Sequence, residues 1–133
     1  MKRKAHYFTK LLDVPLSHAS LSYYAKSFLQ DRERVLKLLT HPFAIEREIS
    51  TLELSRKVEF EGCIAIVLVD KMILNKVQQK DGYVGHYVLV FAFRERNFEY
   101  LDPDSDGDPR RVTMEHMNNA RIAEGTDMDV III

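Results

Sequence analysis

His86 follows Gly85 at the head of an apolar run, Gly85-His-Tyr-Val-Leu-Val-Phe-Ala-Phe93, and Asp102 closes the next run, Phe98-Glu-Tyr-Leu-Asp102, just before Pro103. An imidazole beside a carboxylate is an acid–base pair, because the carboxylate fixes the ring's tautomer and orientation. The polar break Arg94-Glu-Arg-Asn97 between the runs has hairpin length. The start of the first strand then lies beside the end of the second. Register decides whether the side chains meet, since alternate residues of a strand face opposite sides. A three-residue loop, Glu95 to Asn97, places His86 and Asp102 on one face. A two-residue loop places them on opposite faces unless a bulge intervenes. The plain alternative is a strand-end histidine and a turn-forming aspartate.

The other chemistry-bearing residues form weaker patterns. Cys63 is the sole cysteine. It heads the run Cys63–Val69, and in an antiparallel neighbour of the His86 strand it lies at the opposite end, roughly 20 Å away. A thiolate–imidazole pair needs hydrogen-bond reach, so Cys63 reads as a small core residue. Asp102-Pro-Asp104-Ser-Asp106-Gly107 has the acids and glycine of the first half of a calcium loop. Its twelfth position is Thr113, where a glutamate belongs, and Pro103 and Pro109 stiffen it. No cofactor is expected, and Ca2+ or Mg2+ in the Asp102–Asp108 loop is the one metal alternative. Asp70 and Asp102 are the two carboxylates that strand order could bring near a divalent cation. No phosphate-cradling glycine loop is present; Gly82 and Gly85 are the closest pair. His6, His18, His41 and His116 have no ligand spacing.

Positioning such a pair takes a folded domain, and the composition supplies one. The chain has 133 residues, 46% hydrophobic and 29% charged. That is one domain, residues 1–133, with enough apolar side chains for a core. The longest greasy stretch, Ile64–Val69, is too short to span a membrane, and no secretory pattern follows Met1-Lys-Arg-Lys4. One cysteine excludes a disulfide framework and points to the cytoplasm. A net charge of −1 gives no reason to expect nucleic acid. The charge is nevertheless segregated. Residues 1–12 hold four basic side chains and no acid, whereas residues 99–133 hold nine acids against three arginines.

The elements follow from periodicity. Residues 6–12 alternate as a strand. Helices are expected at 17–28 and 31–41, the second limited by Pro42. Residues 43–49 read as a strand. Ser50-Thr-Leu-Glu53 is a capping box opening a helix through Val58. Strands 63–69 and 86–93 are continuous apolar runs, which suits burial on both faces. Residues 71–83 and 102–112 read as connections. Thr113 caps a helix to about Ala123, Gly125 stops it, and Val130–Ile133 is a last strand. Helices first, then strands with one late helix, is α+β: an antiparallel sheet with flanking helices.

The stretch from Gly62 to Pro103 resembles the C39-like cysteine peptidases of the papain-like superfamily, which carry Gly-His before a hydrophobic strand and Asp-Pro after the next. The whole chain is similar to the C-terminal part of guanylyl-cyclase-domain-containing proteins, the plant guanylyl cyclase family. Four segments carry that likeness: Tyr23–Leu39, Ala65–Val69, Gly85–Val90 and Ala120-Arg-Ile-Ala-Glu-Gly-Thr-Asp-Met-Asp129. The resemblance implies the sheet half of a C39/papain-like fold, with His86 and Asp102 as the retained catalytic residues. Family members carry upstream a Trp-Asp-Cys-Gly-x-Ala-Cys type segment, and this chain has no tryptophan and no such cysteine.

Three functions follow as expectations. The first is a pseudoenzyme or fragment of a cysteine-hydrolase type, without peptidase activity alone. The second, implied by the family name, is GTP binding or conversion of GTP to cyclic GMP. The third is a non-catalytic interaction domain. Strands that need cover on both faces lead to an expected partner, either a second copy or another polypeptide.

Overall fold

The computed structural model describes residues 6–8, 44–45, 47–78 and 82–133, with isolated positions between 33 and 42. The helix expected at 17–28 lies outside the described residues, and so does most of the one at 31–41.

Seven strands form one sheet: β1 (His6–Phe8), β2 (Ala44–Ile45), β3 (Ala65–Asp70), β4 (Gly85–Arg94), β5 (Asn97–Leu101), β6 (Arg110–Thr113) and β7 (Val130–Ile132). Their spatial order is β2-β1-β7-β3-β4-β5-β6. Every neighbouring pair is antiparallel except β1 and β2, which run parallel. The α+β expectation holds, with that one parallel pair as a correction to a purely antiparallel sheet.

Three helices are described. In α1 (Thr51–Phe60) the serine half of the capping box forms: the Ser50 hydroxyl accepts the Glu53 N–H at 3.0 Å. The Glu53 carboxylate bonds Arg47 at 2.9 and 3.1 Å. Next, α2 (Lys71–Leu74) is a single turn inside what the sequence presents as a connection. Asp70 caps it, accepting from the N–H groups of Met72 and Ile73. Last, α3 (Met114–Arg121) starts at Thr113, whose hydroxyl accepts the His116 N–H.

The core fills one face of the sheet. Ala65, Val67 and Val69 of β3, Val88 and Val90 of β4, Phe98 and Tyr100 of β5, and Val130 and Ile132 of β7 are buried there with Leu54, Val58, Met117 and Ala120 of the helices. The opposite face is less covered, and β4 is not buried on both sides as its composition suggests. Its Tyr87 is 45% exposed, and Val84 just before it is 41% exposed.

The β4–β5 hairpin sets the register on which the acid–base pair depends. Arg94 pairs with Asn97, so the loop is the two residues Glu95 and Arg96, both with positive φ (51° and 63°). That is the backbone a two-residue hairpin needs, here without glycine. Phe93 faces Phe98 across it, with ring centroids 4.7 Å apart. A bulge then interrupts the ladder: Ala92 pairs with Glu99, but Val90 pairs with Tyr100, leaving Phe91 unmatched. The extra residue shifts the phase of the rest of β4 by one. Two steps back along β4 from Val90 is Val88, and two steps on from Tyr100 is Asp102. His86 therefore shares the core face with Asp102.

Candidate active site

His86 stands where the core face reaches the rim of the sheet, opposite Val69. Its Nε2 lies 2.8 Å from Asp102 Oδ1, with side-chain exposures of only 11% and 3%. The sequence reading of these two as partners is matched by this contact. A carboxylate accepts only, so Nε2 carries the proton and donates it. Nδ1 is then the nitrogen with a free lone pair.

Asp102 is held from several sides. The same Oδ1 accepts the Asp104 N–H at 2.8 Å, closing a tight turn. The Ser105 hydroxyl and N–H both donate to the Asp102 carbonyl, at 2.9 and 3.0 Å. Arg110 of β6 places its guanidinium 3.8 Å from Oδ2. Burial works against the Asp102 charge. The Asp104 N–H, His86 and Arg110 outweigh it and hold the carboxyl below its usual range.

The sign of the stability effect follows. A carboxyl with a depressed folded-state pKa contributes stability above its unfolded value, and loses it as pH falls through the folded value. The loss from Asp102 should therefore begin below its ordinary 3.8. Urea melts of wild type and Asp102→Asn should converge as pH falls through this range, the wild type being the steeper. Parallel curves would show that the carboxylate's charge adds nothing to folding.

Two residues complete the cluster: Asp104, which the sequence reading places only in a calcium-type loop, and Lys71, which it missed. Asp104 brings Oδ2 to 3.8 Å from His86 Nδ1, and Lys71 Nζ bonds that same Oδ2 at 2.7 Å. Lys71 reaches it because its N–H bonds the Val84 carbonyl at 2.9 Å, fastening the start of α2 beside the start of β4. The Asp-x-Asp spacing before the loop was the available signal for Asp104, since an aspartate accepting the N–H two residues on is a common turn. Lys71 had no signal. Ion pairs thus flank His86 along the rim, Lys71 with Asp104 on one side and Arg110 with Asp102 on the other.

His86, Asp102 and Asp104 are also the described group whose ligand atoms, all within 4.8 Å of one another, could meet a metal ion. Lys71 and Arg110 already neutralise its two carboxylates. The geometry therefore serves ion pairing better than a divalent cation. Asp106 and Asp108 stand outside this group, and the Asp102–Asp108 loop gathers no calcium-type cage among the described residues. Asp70 pairs with Gly85 in the ladder while Val69 pairs with His86. It faces away from Asp102 and caps α2, so the two do not form a carboxylate pair.

Cys63 lies before β3, whose Ala65 pairs with Val90 while Val69 pairs with His86. Its thiol is thus at the far end of the sheet, as the strand order predicts. It packs against the core.

The segment Ala120–Asp129 supports the site from below. Arg121 is wholly buried; it donates to the Ile49 carbonyl at 2.7 Å and to Thr51 Oγ1 at 2.9 Å. Burial lowers its pKa to about 10, with Glu48 opposing the shift. Gly125 has φ +96°, and a Cβ there would sit 3.0 Å from Tyr83 Cβ. Only glycine leaves room for the Tyr83 ring, which is hydrogen-bonded to Thr126. Burial pushes the Tyr83 phenol up to about 12. This packing holds the chain two residues ahead of Gly85. Tyr87 reaches from the other face to Asp129 at 3.1 Å. No helix among the described residues is long and apolar enough to cross a membrane.

Comparison with known proteins bears on all of this. No solved structure matches the chain. The protein named guanylyl cyclase 1 of Arabidopsis thaliana is 28% identical over 145 residues, which cover 96% of this chain and 53% of that protein. The chain thus spans about half the length of the curated relative it matches. The profile of the family described as guanylylate cyclase matches residues 1–133. With that match running from end to end, the chain belongs to the guanylylate cyclase family.

Proposed function

We propose that this domain carries the acid–base half of a cysteine-hydrolase type of site, in a sheet of C39/papain-like descent, and that the nucleophile comes from another stretch of polypeptide. The observation that carries the reading is the 2.8 Å contact between His86 Nε2 and the buried Asp102 carboxylate. It leaves Nδ1 facing the rim, where a thiol could give up its proton. The partner polypeptide, a second copy or another chain, would meet the thinly covered face around Val84 and Tyr87. Light scattering reads that association. The chain alone acts as a pseudoenzyme. Purified protein should show no thiol-dependent amide or ester hydrolysis, and Cys63→Ser should leave every measured activity unchanged. Loss of an activity on alkylating Cys63 overturns the reading.

A second reading is favoured by the family match. The name of the Arabidopsis thaliana relative, guanylyl cyclase 1, describes conversion of GTP to cyclic GMP, a displacement that needs a base for the attacking ribose hydroxyl. His86 could be that base, with Lys71 and Arg110 at the rim as cations for phosphate oxygens. Mass spectrometry of cyclic GMP formed from GTP with Mg2+ or Mn2+ tests it. Cyclic GMP that disappears in His86→Ala selects this reading over the hydrolase one. A wild-type level of product in His86→Ala removes His86 from both.

A further inference from the structure

One contact at the rim is used by neither reading. Asp104 brings a carboxylate oxygen to 3.8 Å from Nδ1 of His86, and it is held there from outside by Lys71. We propose that Lys71 and Asp104 form a latch that closes the Nδ1 side of His86, and that the site is open to a reacting group only when this ion pair parts. The inference rests on the His86–Asp102 reading, which makes Nδ1 the working nitrogen.

Three features support it. The Asp104 backbone is pinned, its N–H bonded to Asp102 Oδ1 at 2.8 Å, while its side chain is 57% exposed and free to swing. The latch can therefore open without disturbing the Asp102–His86 contact. Secondly, Oδ2 lies 3.8 Å from Nδ1. That is too far for a hydrogen bond and too near for a thiol or hydroxyl to stand between. Thirdly, Lys71 sits at the first position of α2 with its N–H tied to Val84. Its ammonium is thus delivered to Asp104 from an element separate from the turn. An exposed ion pair of this kind is weak and screened by salt. The latch is accordingly one that an anionic group or ionic strength could release.

The test is acylation of His86 by diethyl pyrocarbonate, followed by peptide mass spectrometry at neutral pH. A ring nitrogen with a free lone pair attacks the anhydride carbon, and ethanol and carbon dioxide leave. With Nε2 donating to Asp102, the attacking atom is Nδ1. Lys71→Ala should acylate about threefold to fivefold faster than wild type, the range set by the strength of an exposed pair. Lys71→Arg should restore protection. Asp104→Asn should be fast as well, and combining it with Lys71→Ala should add nothing further. Raising salt to about 0.5 M should speed the wild type and leave Lys71→Ala unchanged. Deleting a nearby cation slows acylation through charge alone, so acceleration reports access.

Equal rates in wild type and Lys71→Ala overturn the latch. Nitrogen-15 NMR of the imidazole separates that failure from a failure of the underlying pair. A proton found on Nε2 with equal rates removes the latch alone. A proton found on Nδ1 removes both.

Discussion

Arg121→Ala should cost about 3–5 kcal/mol of folding stability, the largest loss from any single side chain of the described core. Arg121 ends α3 and is 0% exposed. Its guanidinium ties the chain entering α1, at the Ile49 carbonyl, to Thr51 in the first turn of that helix. Truncation leaves a cavity the length of the side chain and orphans the Ile49 carbonyl, and an unmet buried acceptor is penalised in its own right. Thr51 keeps a bond to Asn118 Oδ1 at 2.8 Å, so its loss is partial. For a domain whose total stability lies within about 5–15 kcal/mol, this is a third or more. The melting temperature should fall by on the order of 15 °C. Arg121→Met should lose about half as much. It keeps most of the volume and removes a buried charge whose Nε has no hydrogen-bond partner among the described residues. Thermal and urea melts of both variants check this. A loss under about 1 kcal/mol in Arg121→Ala would mean that the two helices are held by their apolar contacts.

Asp102→Asn should leave the fold intact and lower any His86-dependent turnover by about 10²–10⁴-fold. The asparagine amide has the same shape, and its oxygen, placed where Oδ1 stands, can accept both the Asp104 N–H and the ring's N–H. If the NH2 group turns toward Nε2, the imidazole must accept there and carry its proton on Nδ1, the wrong side for a base. The charge is lost in either orientation. His86→Ala should fall to the same floor, and the double variant should fall no further, because the two act as a unit. The assay is whichever of cyclic GMP formation or hydrolysis the assembled protein performs. Turnover in Asp102→Asn within threefold of wild type would leave Asp102 a turn former only.

Particular residues show where the sequence was readable. The capping box at Ser50 was plain because every part of it lies within four residues. The ends of β4 and β5 were plain because glycine and proline bracket apolar runs. Whether His86 and Asp102 share a face hinged on a bulge, which has no local signature in Val90-Phe91-Ala92. The β6 strand escaped notice because Arg110-Arg-Val-Thr113 offers one buried side chain, Val112, on an edge with only one neighbour. Helix α2 did have a signal, the capping Asp70, but four residues are too few to show a period. Contacts such as Arg121 with Ile49, 72 positions apart, and Lys71 with Asp104, 33 apart, are set by tertiary packing alone. Nothing near either partner in the chain announces the other.

The unmatched Phe91 also fixes how this hairpin can change length. Deleting one residue between Leu89 and Phe93 would restore a regular ladder, and the sheet itself would tolerate it. With Phe91 as the deleted residue, Val90 would still face Tyr100 and Ala92 would still face Glu99, so every side chain from His86 to Val90 would keep its face, and His86 would stay beside Asp102. A second deletion, with no unmatched residue left to absorb it, would instead turn over the side chains from His86 toward the bulge. Length variation here is therefore filtered by odd and even rather than by size. A relative with a single-residue gap at the position of Phe91 should keep the imidazole–carboxylate contact, and one with a two-residue gap there should have lost it.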